Sequence, residues 1–327
     1  GDSEPQAASS PIELGLPDRY ILSRLQAVTQ EVDTAFTASR FSDGAQALYR
    51  FFWTELCDWY IELCKPQLQP SADPQKRRAA LGTLAVVLET TLRLLHPIIP
   101  FITEELWLKL PRPWGSPQSI MITLYPTPDA VLVDAEAERQ MALLQEAVGA
   151  MRTIKSTYNL KAQAKPEAQA AGQSDGQAAG QTEGAAVDAG GGRLQFLIKA
   201  LDPAMRQVLL AQRPLIEMLT RAELVDVVEE VAGGATKGTI AQVAPGLVVL
   251  LLHADTLIDA PAELLRLQKE AAKVDKELAT LRGRLQNADF VARAKPEIVD
   301  QNRARVLELE QRLSELVQHQ QTIATMV

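Results

Sequence analysis

Apolar residues recur every three to four positions along most of the first 160 residues, the spacing that places them on one face of an α-helix. The first stripe, Ile21, Leu25, Val28, Val32 and Phe36, follows Asp18, which is placed to cap it. A second helix, capped by Ser42, carries Ala45, Leu48, Phe52, Leu56, Trp59 and Leu63, and Pro66 and Pro70 are expected to stop it. Trp59 is expected in the core. Asp73-Pro74 reads as the cap and first residue of a third helix, with the stripe Leu81, Leu84, Leu88, Leu92 and Leu95, ending at His96-Pro97. Pro100 precedes a short fourth helix over residues 101–107. Residues 111–128 hold five prolines and are expected to cross the surface in extended form. A fifth helix over residues 134–158 shows Met141, Leu144, Val148, Met151 and Tyr158. Five amphipathic helices with short links predict a bundle over residues 16–160, preceded by a polar, frayed segment over 1–15.

At Lys161 the pattern stops. Residues 161–193 are Ala, Gly and Gln with scattered charge, and Val187 is their one large aliphatic residue. Such a stretch cannot bury enough surface to offset its chain entropy, so it is read as a low-complexity, disordered insertion. Over 194–260 short apolar runs alternate with a helical one. Strands are predicted at 194–200, 224–231, 239–243 and 247–252, with a helix from Pro203 to Leu219, which makes a small α/β subdomain. From residue 261 onward Leu264, Leu267, Ala271, Val274, Leu278, Leu281 and Leu285 alternate three and four apart. Val299, Asn302, Val306, Leu309, Leu313, Leu316, Gln320 and Ile323 do the same after a joint over 287–296. Two heptad-patterned helices of similar length predict an antiparallel coiled-coil hairpin over 261–327. The fold class is mainly α: a helical bundle, a small α/β subdomain and this hairpin.

Composition narrows the function. The formal net charge is −8, which excludes a wholesale basic binder of nucleic acid. Residues 261–327 nevertheless hold eleven Lys or Arg against ten Asp or Glu, a net of +1 that leaves −9 for the remainder. Near the hairpin joint Arg282, Arg284, Arg293 and Lys295 face only Asp289, with Phe290 among them. Cations around an exposed aromatic suit a phosphate backbone with a base to stack on. On pattern alone they serve equally well to solubilise the hairpin, with Phe290 plugging its end. No metal site is expected, because the three histidines are scattered and Cys57 and Cys64 form no Cys-x-x-Cys pair. Two helical turns separate those cysteines, so they are expected to be reduced core thiols of a cytoplasmic protein. Gly190-Gly191-Gly192 lacks the strand-to-helix context of a phosphate loop, and the Glu104-Glu105 and Glu229-Glu230 pairs read as solvated faces. No run of apolar residues is long enough to span a membrane. The opening Gly1-Asp2-Ser3-Glu4-Pro5 has no methionine or signal segment and is expected to be a cut end within a longer chain.

Several blocks taken together carry a resemblance. Leu16-Pro17-Asp18-Arg19-Tyr20-Ile21-Leu22-Ser23-Arg24-Leu25, Arg40-Phe41 with Ala45-Gln46-Ala47-Leu48-Tyr49, residues 51–65, and the run from Leu95-His96-Pro97 through Pro100-Phe101-Ile102-Thr103-Glu104-Glu105-Leu106-Trp107 resemble the anticodon-binding region of the valyl-tRNA synthetase family. The terminal hairpin looks like that family's C-terminal arm. The resemblance implies that the bundle is an anticodon-binding domain and that the hairpin lies on the outer corner of tRNA(Val). It implies Arg40, Trp53 and Arg93 as anticodon-side candidates, and Arg282, Arg284, Phe290, Arg293 and Lys295 as elbow candidates. It further implies a monomer that works with a catalytic half using ATP and Mg²⁺ to attach valine, and an editing domain that removes threonine. Tyr20 stands where the family usually has Trp. No His-x-Gly-His and no Lys-Met-Ser-Lys-Ser element occurs, so this chain alone is expected to be catalytically inactive and to need no cofactor. A freestanding tRNA-binding relative and a coiled-coil interaction protein without an RNA role are the alternatives.

Overall fold

The structure is a computed structural model that describes residues 12–111, 117–160, 193–231, 238–287, 290, 292 and 294–324. The proposed disorder of 161–193 falls almost wholly outside the described residues, as do Asp289 and Arg293. The chain forms two compact units, Gly1–Val148 with Gln207–Leu219, and Gly149–Arg206 with Thr220–Val327. Among the described residues no helix is long and apolar enough to cross a membrane.

The first unit is built around α1 (Leu16–Thr37), which touches α2 (Phe41–Arg50), the π-helical segment Phe51–Ile61 that continues it, and α4 (Pro74–Leu95). The π segment passes into α3 (Glu62–Leu68); α5 (Pro100–Lys109) follows α4, and α6 spans Ala135–Thr157. Ile21, Leu25, Val28 and Val32 are buried as their spacing predicts. Asp18 is not the cap. Helix α1 begins two residues earlier, so the buried Asp18 carboxylate accepts from the Gly15 backbone N–H at 3.1 Å and from the Tyr60 hydroxyl at 2.7 Å. Burial pushes the Asp18 carboxyl above its usual range despite these bonds.

Polar contacts also fasten α1. Arg24 grips Glu55 through two hydrogen bonds of 2.7 and 3.1 Å and reaches Glu138 of α6 at 3.4 Å. Ser23 accepts from the Asp134 N–H at 2.9 Å, and Arg19 pairs with the Asp134 carboxylate at 3.0 Å. One face of α1 thus binds by apolar burial and another by a half-buried ionic seam.

The aromatic helix is the first correction. Leu48, Leu56 and Leu63 are fully buried, but Phe51 and Tyr60 fill the core where Phe52 and Trp59 were expected, and those two are half-buried. The cause is the π-helical hydrogen bonding, which widens each turn. The buried series therefore steps five residues from Phe51 to Leu56 and then four to Tyr60. The helix also begins at Phe41 with Arg40 at its cap, so Ser42 lies inside it, and it runs two residues past Pro66 to Leu68. Gly44 is needed here, because a Cβ at that position would overlap the Phe36 ring of α1.

Helix α4 is the second correction. Asp73 caps it as expected, accepting from Gln75 and Lys76. Its buried residues are Ala79, Ala80, Thr83, Val87, Thr91, Leu92 and Leu94, so Leu92 alone of the expected stripe is buried, whereas Leu81 is 47% exposed and Leu84, Leu88 and Leu95 are half-buried. The buried Thr91 hydroxyl is satisfied by the Val87 carbonyl at 2.6 Å. Leu92, Trp107 and Ile120 form a satellite cluster under α5.

In the second unit β1 (Gln195–Ala200), β2 (Glu223–Val228), β3 (Ile240–Ala244) and β4 (Leu247–Leu251) form a sheet of order β2-β1-β4-β3. β1 pairs parallel with β2 and antiparallel with β4, with Ile198 opposite Val249. The parallel pair needs a crossover, and the chain between β1 and β2 runs through α7 (Pro203–Ala211) and α8 (Arg213–Thr220), whose residues 207–219 belong to the first unit. Phe196, Ile198 and Ala200 alternate inward along β1. Gly246 turns β3 into β4 at φ +76°, the left-handed value that glycine takes without strain. After the short α9 (Ala254–Leu257), α10 (Ala260–Gln286) and α11 (Pro296–Ala324) pair along their length. Leu267, Leu278, Val299, Leu309, Leu316 and Ile323 are buried, as the heptads predict. At about 1.5 Å per residue each arm is on the order of 40 Å long.

Two predictions follow from this packing. Phe51→Ala should cost roughly 3–5 kcal/mol of bundle stability and Trp59→Ala clearly less, as read by chemical denaturation; equal losses would contradict the π-shifted core. His319 of α11, whose ring lies 6.0 Å from that of Tyr158, has its pKa lowered by burial and then by Arg312, against the opposing pull of Glu315 and Glu263. The unfolded chain therefore takes up the proton first as pH falls below about 6.5, so stability is lost on that acid side. His319→Leu should flatten the decline in melting temperature between about pH 8 and pH 5. An unchanged decline would count against it.

Candidate nucleic-acid interface

Because Phe51 and Tyr60 turn inward, Tyr49 and Trp53 turn outward. They stand one helical turn apart, 66% and 51% exposed, with ring centroids 6.3 Å apart. Phe52 meets Trp53 edge-on at 5.6 Å and holds its ring in place. Arg50 follows Tyr49 on the same helix, and Arg40 stands at that helix's N-terminal cap. Each is exposed and paired with one surface carboxylate, Arg50 with Glu31 at 2.8 Å and Arg40 with Asp43 at 3.1 Å. A groove of about 470 Å³ between α1 and α2 is lined by Gln30, Glu31, Thr34, Arg40, Gln46 and Arg50. Exposed ion pairs of this kind exchange partners at little cost, so both guanidiniums can turn to a phosphate. Exposed rings beside such cations can stack unpaired bases.

Arg93 sits differently. Its guanidinium donates to the Leu124 carbonyl and to Glu89, both at 2.9 Å, and its Nε is buried. It ties α4 to the segment after α5. Among the three bundle candidates, the structure brings Arg40 and Trp53 onto one helix and leaves Arg93 as a clamp.

On the hairpin the arginines of the shaft are consumed by carboxylates. Arg312 meets Glu270 at 2.8 Å, Arg305 meets Glu277 at 3.0 Å, and Arg282 meets Glu310 at 2.6 Å across the two helices. By the heptad, the first two pairs join g to g and the third joins e to e, the edges that meet only when the helices run antiparallel. Arg312, followed by the charge of Arg266, holds the Glu270 carboxyl below its ordinary range. Arg266 and Arg303 pair within their own helices.

At the joint Arg284 and Lys295 are exposed, and Arg293 lies outside the described residues. Phe290 is half-buried rather than exposed, and its N–H donates to the Asn287 side chain at 3.2 Å. It therefore helps close the hairpin and offers only part of its ring.

One set of cations was missed by reading charge near the joint alone. Lys269, Lys273 and Lys276 are all exposed and form no ion pair among the described residues. Their spacing puts them on the outer f, c and f positions of α10, away from α11. The signal was available in the heptad: once the core positions are set, lysines four and three apart on the far side form a stripe. Among the described residues, no group of three His, Cys, Asp or Glu side chains could hold a metal ion.

Comparison with known proteins agrees with this division. Residues 18–170 match the family described as the anticodon-binding domain of tRNA ligase, and residues 259–324 match the valyl tRNA synthetase tRNA binding arm. A valine–tRNA ligase from Symbiobacterium thermophilum is 33% identical over 318 residues, covering 92% of this chain and 32% of the relative. Those from Dechloromonas aromatica and Xylella fastidiosa are 34% and 35% identical, each over 94% of this chain, and this chain covers 29% and 28% of them. The chain thus spans about a third or less of the length of the relatives it matches. With both modules present in the same order as the blocks that suggested them, the chain is homologous to the anticodon-binding and tRNA-binding-arm region of the valine–tRNA ligases.

Proposed function

We propose that this chain grips tRNA(Val) for a valine–tRNA ligase, through two separate surfaces. The Tyr49–Trp53 face with Arg40 and Arg50 takes the anticodon loop by stacking and phosphate contact. The outer face of α10, with Lys269, Lys273, Lys276 and the exposed Arg284 and Lys295, takes the backbone of the folded tRNA's outer corner. The observation that supports this most is the charge arrangement on the hairpin: carboxylates neutralise the shaft arginines between the helices, and Lys269, Lys273 and Lys276, which form no ion pair among the described residues, share one outer face of α10. In this reading the chain acts in the cytoplasm within a monomeric enzyme. ATP, Mg²⁺ and valine are handled by the remainder of that enzyme, and no residue of this chain is assigned to them.

Two experiments test the reading. Reversing Lys269, Lys273 and Lys276 together to Glu should weaken tRNA(Val) binding and reduce its salt slope by about three phosphate contacts, or roughly 2–3 in log–log units, without altering the melting temperature. A slope equal to the parent's would remove α10 from the interface. Trp53→Ala should weaken binding by about 1–3 kcal/mol, and a single-stranded oligonucleotide of the anticodon-loop sequence should feel the same loss. Unchanged affinity for both would end the stacking role.

A further inference from the structure

Helix α5 has a composition that its own surroundings do not satisfy. It is apolar around most of its circumference, a pattern that belongs to helices covered on all sides. Yet only Thr103 and Trp107 are buried, and they hold one edge of the helix against the bundle. Phe101 is 91% exposed, and Leu108, two turns on along the same edge, is also exposed. Between them Glu104 accepts from the Ser119 hydroxyl at 2.9 Å and from the Ile120 N–H at 3.2 Å. These bonds fasten the turn that carries Met121 and Ile122, both about three-quarters exposed, beside that edge.

We infer that this edge of α5, with Met121 and Ile122, is where the bundle docks onto the polypeptide that valine–tRNA ligases carry outside the region matched by this chain. The inference rests on the reading that the chain works as one part of such a ligase. Three observations favour this occupant. More than two-thirds of each relative's length lies beyond the match, so the bundle has a large polypeptide neighbour in its family. The surface is unsuited to RNA: the single cation of α5, Lys109, is paired with Glu105 at 2.7 Å. The residues are also presented on a fixed frame, since Trp107, Leu92 and Ile120 pack beneath them and Glu104 pins the flanking turn. An exposed apolar surface held in place in this way is the mark of a contact made elsewhere in the assembly.

The test uses this whole chain and, as probe, the part of the Symbiobacterium thermophilum ligase outside the matched third, followed by sedimentation velocity. The double variant F101E/I122E places one carboxylate in the first turn of α5, where the helix dipole favours it, so the fold should be retained. The parent should co-sediment with the probe and the variant should bind it roughly tenfold or more weakly, since docking would bury two charges. Both should bind tRNA(Val) alike. Equal co-sedimentation of parent and variant, no co-sedimentation of the parent, or pairing of the parent with a second copy through this surface would overturn the inference. Loss of tRNA binding in the variant would overturn it too, by making the surface part of the RNA interface. Absence of tRNA binding by the parent, with docking intact, would instead count against the tRNA-gripping function alone.

Discussion

The rotation of one helix about its axis governs how this bundle presents itself, and the hydrogen bond from Tyr60 to Asp18 holds that rotation. Asp18 is already committed to the Gly15 backbone, so its position on α1 is set locally. With the Tyr60 hydroxyl 2.7 Å away, the π-helical segment can turn in neither direction without leaving a buried carboxylate short of a donor. Arg24 and Glu55 reinforce the same phase by joining the same two helices further along α1. With Tyr60 and Phe51 inside, Tyr49 and Trp53 must be outside. An internal polar contact thereby determines which aromatics are available to a ligand.

The hairpin obeys a different constraint, set by charge. Cross-helix pairing of Glu270, Glu277 and Glu310 with arginines takes up cations along the seam and fixes the antiparallel orientation. Each such pair contributes little to stability, being exposed. Together they decide where positive charge remains: the outer side of α10 and the joint. A chain with a net charge of −8 can therefore still offer a phosphate backbone one concentrated cationic stripe.

Much of the architecture was legible in the residue pattern, and the failures are physical rather than random. Proline and cap signals located α4 and α5, because Asp73-Pro74 and Pro100 act through local sterics and hydrogen bonds that tertiary context does not override. Short apolar runs located β1 and β4, and unbroken heptads located the hairpin. The phase of the aromatic helix was not legible, since the expected stripe assumed 3.6 residues per turn and nothing local announces π-helical bonding. Of the buried face of α4 only Leu92 was legible, because leucines were weighted over the alanines and threonines that the fold turns inward. Site residues fared similarly. Trp53, a candidate by the resemblance alone, is exposed in the structure. Arg93 looked as free as Arg40 in sequence, and only the fold shows its bonds to Leu124 and Glu89.

The central claim is that helix phase in the bundle and charge pairing in the hairpin expose two defined surfaces to tRNA. Hydroxyl-radical oxidation of the side chains, read by mass spectrometry with and without tRNA(Val), tests it most directly. The account predicts that tRNA protects Tyr49 and Trp53 together with the Lys269–Lys276 stretch of α10, while Phe101 and the half-buried Trp59 react as before. Protection of Trp59 or Phe101 in place of Trp53, or none along α10, would contradict it.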